Sequence, residues 1–267
     1  MSGMKGSEQT NPTRSERLRF DRYRPGPHLS PFVRNYWMLK ATAGPGVCRR
    51  QRITPDGCID ILFVRRCPTE NFQAFVVGTM TRPIFEELTG PVEYLGVRFA
   101  PGGFGHFFRT PAGELTDRIV PLDSLSAVCT AAAQLADAPD VQTRLKILED
   151  VLNQRFPLEK PDPILMKVLE IISACQGAVT VERLARVAGW SPRHLRRVVR
   201  ASVGVGPKTF CEIVRFKTAV RSLRRQPRPD LLAIALEAGY YDQAHFIHDF
   251  QRFYGSSPST VLRSRDF

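Results

Sequence analysis

Between Thr180 and Gly204 the chain runs TVERLARVAGWSPRHLRRVVRASVG. Thr180 is a ready N-cap, and Val181, Leu184, Ala185 and Ala188 follow it at helical spacing. Gly189 is placed to end that helix, because glycine enters the left-handed conformation without a Cβ penalty. Ser191-Pro192 then opens a second helix, with serine as cap and proline at the first helical position. The order helix, glycine turn, helix predicts a helix-turn-helix. Within the second helix Arg193, Arg196, Arg197 and Arg200 fall at i, i+3, i+4 and i+7 and share one face, while Leu195, Val199 and Ser202 lie opposite. A guanidinium fork can grip guanine O6 and N7, or a phosphate, with two parallel hydrogen bonds, so such a row suits nucleic acid. The plainer reading of the same row is a solvated basic face.

The grammar repeats about fifty residues on. Asp230 caps LLAIALEA, Gly239 closes it, and Asp242 caps a helix through QAHFIHDFQRFY. Leu195 and Val199 correspond to Phe246 and Phe250 at an offset of 51, with the second turn one residue longer. Phe246, Phe250 and Phe253 predict a core stripe, which leaves Gln243, Ala244, Ile247 and His248 on the flank that would face a groove. Pro207 to Arg225 reads as one long connecting helix. Two helices joined that rigidly could enter successive major-groove segments, which repeat at about 34 Å. Charge agrees with this placement: residues 160 to 267 hold 18 Lys and Arg against 9 Asp and Glu, a net +9 of the chain's +12.

The remainder reads differently. VRNYWML, CIDILFV, FQAFVVG and VEYLGVRF are short strand-like runs separated by glycine and proline breakers, predicting a small antiparallel sandwich or barrel. Leu122 to Leu135 and Asp140 to Phe156 carry helical spacing and should trail the strands. PLEKPDP, residues 157 to 163, is a hinge or linker. The expected class is therefore α+β and multidomain: residues 1–157 β-rich with trailing helices, residues 162–267 an all-α duplicated helix-turn-helix. The start, through Phe20, reads as a frayed polar tail without a secretory h-region, and no apolar run approaches the roughly 18 residues of a bilayer span. A soluble cytoplasmic protein without a membrane partner is expected.

The Ala-Gly-Trp-Ser turn, the Leu-Arg-Arg helix, the long connector, Ala-Gly-Tyr and the closing FQRFYGSSPSTVLR resemble the AraC/XylS-type transcriptional regulators, over roughly residues 163 to 265. The resemblance implies a double-stranded promoter DNA partner, with RNA polymerase as a second partner should the protein activate. It places Arg193, Arg196 and Arg197 against bases in the first half, and Gln243, Ala244, Ile247 and His248 in the second. His248 stands where arginine is common, Gln251 replaces the usual lysine, and Val261-Leu262 replaces the usual aromatic before Arg263. Upstream, TPDGCIDILF, VVGTMTRP and GVRFAPGGFGHFF are similar to a β-rich sensor domain, which implies a small-molecule effector or a homodimer.

Within that segment Trp37, Asp56 and Arg98 are the effector-site candidates. Each has a plainer reading: Trp37 as core, Asp56 as part of a Pro-Asp-Gly β-turn, Arg98 as a solvent-facing or internally paired side chain. Pro101-Gly102-Gly103 lacks the Lys-Ser/Thr of a phosphate loop. His28 and His106 are isolated, His245 and His248 belong to the second recognition helix, and the six cysteines form no C-x-x-C pair. No metal, cofactor or catalytic residue is expected. The competing hypotheses are a helix-turn-helix fused to an enzyme, either reactive-cysteine or metal-barrel, and a non-specific architectural DNA binder.

Overall fold

A computed structural model describes residues 17–42, 48–66, 68–122, 126–154, 162–226 and 229–264. Among the described residues the N-terminal part holds eight strands: β1 (Arg17–Tyr23), β2 (Val33–Thr42), β3 (Cys48–Ile53), β4 (Asp60–Arg65), β5 (Gln73–Val77), β6 (Ile84–Thr89), β7 (Val92–Phe99) and β8 (Ile119–Pro121). Six of them form one antiparallel sheet in the order β1-β2-β7-β4-β5-β8, and β3 pairs with β6 as a separate ribbon. Among the described residues the sheet is open, with β1 and β8 at its edges, so of the two expected forms it is the layered one and not a closed barrel.

Central position explains why β7 is buried at nearly every residue, whereas β2 beside it alternates over much of its length. One face of the sheet, with Tyr36, Met38, Ile61, Phe63, Leu95 and Val97, packs against helices α1 (Ser126–Asp137) and α2 (Val141–Gln154) through Ala131, Leu135, Leu148 and Leu152. The other face, with Ala41, Val64, Val92 and Tyr94, is covered by the β3–β6 ribbon through Leu88. Glu93 ties sheet to helix, since its carboxylate accepts from Lys40, Arg65 and Arg144 of β2, β4 and α2. Burial alone would raise its pKa; those three cations bring it down to about 2.

The polar-tail expectation is corrected at its end. Residues 17–20 belong to β1, which pairs with β2 from Arg17↔Thr42 to Tyr23↔Tyr36. Charged alternation hid this strand, and it is what suits a sheet edge, where charge discourages further pairing. The β3–β6 ribbon escaped notice for the same reason, CRRQRI being too polar for a half-buried pattern. Residues 1–16 and 155–161, the latter including most of the expected linker at 157–163, lie outside the described residues.

From Pro163 onward the described chain is helical: α3 (Pro163–Ala174), α4 (Val181–Ala188), α5 (Pro192–Val203), α6 (Pro207–Arg225), α7 (Leu231–Glu237), α8 (Gln243–Tyr254) and α9 (Pro258–Ser264). They enclose a second core, separate from the first. Among the described residues no helix is long and apolar enough to cross a membrane.

Candidate nucleic-acid interface

Helices α4 and α5 are delimited by the expected residues. Thr180 Oγ1 accepts from the Arg183 amide and Ser191 Oγ from the His194 amide, which satisfies one orphan donor at each helix start. Gly189 between them has φ +65°, the conformation that lets the chain reverse. Leu195, Val199 and Val203 are buried, whereas Arg193, Arg196, Arg197 and Arg200 are all exposed. None of these four arginines makes an ion pair among the described residues, so the face carries an uncompensated row of charge.

The second unit repeats the scaffold with other chemistry. Asp230 accepts from the Leu232 and Ala233 amides, Asp242 from the His245 amide at 2.7 Å, and Gly239 takes φ +81°. Phe246, Phe250 and Phe253 are fully buried; Ala244 and His248 are exposed, Gln243 is half-exposed, and Ile247 packs partly against the helical core. The units share one core, because Phe216 of α6 meets Phe250 at 5.7 Å and Phe253 at 5.4 Å between ring centroids.

Two features were missed by sequence reasoning. His194 and His245, also 51 residues apart, each make an edge contact with the turn aromatic, Trp190 at 4.9 Å and Tyr240 at 5.1 Å. The repeat was legible in the two histidines, although not the contact. The second is Asp249, buried within α8, whose Oδ2 makes no hydrogen bond among the described residues. Its carboxyl is pushed upward by burial first and the Glu212 charge next, against His245, Arg215 and Arg252. His245 Nε2 and His248 Nδ1 each stand 3.8 Å from it.

The three effector-site candidates come together, but around a residue not singled out. Asp60 accepts from Trp37 Nε1 at 3.0 Å and from Arg98 Nε and Nη2, while Arg98 Nη1 reaches Asp56 at 2.9 Å. Arg98 is thus internally paired. Trp37 lies across Gly96, where any Cβ would stand 2.1 Å from the indole. Asp56 Oδ1 accepts from the Cys58 amide, and Gly57 has φ +75°, as the β-turn reading requires. This turn also reaches the helical core: Gly57 abuts Phe210, and Lys217 Nζ donates to the Asp56 carbonyl at 3.4 Å. Burial raises the Asp56 pKa, and Arg98, Lys217 and the Cys58 amide more than reverse it; Asp60 stays raised by burial. A further contact places Arg52 of β3 over the Tyr254 ring at 4.2 Å.

Burial lifts the Cys58 thiol to about 12 and the Cys211 thiol to about 11, so neither is poised as a thiolate. No group of three or more metal-ligating side chains occurs among the described residues.

Two capped helix-turn-helix units on one core, joined by a long helix, define a double helix-turn-helix domain. Residues 184–264 match the family described as "Helix-turn-helix domain", and residues 21–121 match a "Domain of unknown function (DUF6597)". An uncharacterized HTH-type transcriptional regulator of Haemophilus influenzae is 34% identical over 97 residues, 36% of this chain and 32% of that protein. The HTH-type transcriptional regulator GlxA of Rhizobium meliloti is 33% identical over 102 residues, 38% of this chain and 31% of that protein. The XylDLEGF operon transcriptional activator 1 of Pseudomonas putida is 25% identical over 156 residues, 54% of this chain and 47% of that protein. The matched segment therefore spans a third to a half of these relatives' length. The C-terminal part of the chain is a helix-turn-helix domain of the AraC/XylS type.

Proposed function

We propose that this chain is a cytoplasmic, sequence-specific DNA-binding transcriptional regulator. On this reading residues 162–267 bind double-stranded promoter DNA, with α5 and α8 against base edges and surrounding Lys and Arg against phosphates. Residues 1–157 sense a small effector or mediate a homodimer, and RNA polymerase is the further partner if the protein activates. The carrying observation is the row Arg193, Arg196, Arg197 and Arg200 on the exposed face of α5, in the second helix of a capped helix-turn-helix. An enzymatic N-terminal part gains no support from Cys58, whose thiol burial lifts to about 12.

Selection of bound duplexes from a random-sequence pool by the full chain tests this. A recovered consensus whose affinity falls linearly on a log-log salt plot is expected, because each neutralised phosphate releases counterions. Binding without base preference would instead support an architectural protein.

A further inference from the structure

The segment 111–117 of the N-terminal part stands against α5 itself. Pro111, Gly113 and Glu114 form one wall of an open cleft of about 500 Å³, and Arg196, Arg197 and Arg200 form the other. At its end the walls touch: a Cβ on Gly113 would lie 3.2 Å from the Arg200 carbonyl oxygen and 3.3 Å from Arg200 Cγ.

Two hydroxyls hold this approach. Thr79 Oγ1 donates to the Val203 carbonyl and Thr116 Oγ1 to the Gly204 carbonyl, at the end of α5 where carbonyls lack intrahelical donors. Gly204, at φ +97°, permits the contact, since any Cβ there would stand 2.9 Å from Thr79. The segment is itself tied down. Asp117 sits at φ +56°, its amide donates to the Thr79 carbonyl, and its carboxylate accepts from the Thr81 amide and hydroxyl. A non-glycine residue in that region persists only where its surroundings over-determine it.

We propose that residues 111–117 are an intramolecular latch that competes with duplex DNA for the arginine face of α5. The inference rests on the DNA-binding reading above. An α-helix with its side chains is about 10–12 Å across and a B-form major groove about 12 Å wide, so the helix fills the groove. A loop in van der Waals contact with Arg200 leaves the adjoining phosphate strand no room on that flank. Glu114 also lines that cleft, so an acidic residue stands on the wall that phosphate oxygens would approach. The latch acts by occupying space: the arginines stay exposed and make no ion pair among the described residues, ready once the loop departs. Apparent DNA affinity is then the intrinsic affinity reduced by the undocked fraction.

The test uses the full chain, a mixed-sequence duplex of three helical turns at low salt, and two independent disruptions. Thr79→Val with Thr116→Val removes both hydroxyl donors at nearly constant volume, and Gly113→Leu forces the loop from Arg200. Both variants are expected to bind about tenfold tighter than the parent chain, with faster amide exchange at 111–117 and unchanged helix content by circular dichroism. Should Gly113→Leu fail to fold, the near-isosteric double variant decides. Equal or weaker binding by a folded variant overturns the latch alone. No binding by the parent and both variants overturns the DNA reading and the latch with it.

Discussion

The two helix-turn-helix units are one scaffold used twice with different surfaces. Both begin on a side-chain cap, both turn on a positive-φ glycine, and both set a histidine against the turn aromatic. At an offset of 51, Arg193, Arg196 and Arg197 become Ala244, Ile247 and His248, and the half-buried Val198 becomes the buried Asp249. Cores differ in the opposite sense, since Leu195 and Val199 become Phe246 and Phe250. The first unit thus invests in charge at its surface and the second in aromatic packing. What holds the helices is separable from what they present.

The two cores carry the largest expected difference. Phe250→Ala is expected to cost about 3 to 5 kcal/mol, measured by urea denaturation, and Val199→Ala distinctly less. Because Phe216 packs on Phe250, the loss should appear in one transition for the whole helical core. A separate unfolding step of α7–α9 would show the units to be independent.

Surface chemistry predicts the next largest effect. Arg196→Ala or Arg197→Ala should weaken binding to the selected site by about 1 to 3 kcal/mol and relax preference at one or two base positions. Gln243→Ala and His248→Ala should cost less, and Arg200→Ala should weaken all sequences more evenly. Equal sensitivity at both half-sites in quantitative footprints would remove the asymmetry.

Asp249 sharpens the contrast from within. A carboxyl whose folded pKa is raised binds its proton in the native state before the unfolded chain does. Its cost is therefore present at neutral pH and relieved as pH falls through the raised value toward the ordinary aspartate range. Asp249→Asn should raise stability at pH 7 in urea denaturation and flatten that acid-side gain; a variant less stable at pH 7 would assign the charge a structural role with His245 and His248. The smallest expected effect tests the shared scaffold: Ser191→Ala and Asp242→Ala should each cost about 1 kcal/mol, and widely unequal losses would show that the caps are not equivalent.

The helical half was legible because its signals are local. Caps, glycine turns and the 3.6-residue period act within a few residues, and Thr180, Gly189, Ser191, Asp230 and Asp242 each stand where those rules placed them. Strands β2, β4, β5 and β7 were visible through alternating or continuous apolar runs, whereas β1, β3 and β6 carry charge along exposed edges and were not.

By itself, then, the sequence determined a charged helix-turn-helix pair behind a β-rich segment, since propensity, capping and periodicity are properties of short stretches of chain. Only the tertiary structure decided that Trp37, Asp56 and Arg98 meet at Asp60, that Asp249 is buried beneath two histidines, and that Thr79 and Thr116 grasp the end of α5. Those contacts join residues far apart in the chain, 124 positions for Thr79 and Val203, and buried polar partners are chosen by which groups the packed cores exclude from water. No local pattern carries that information.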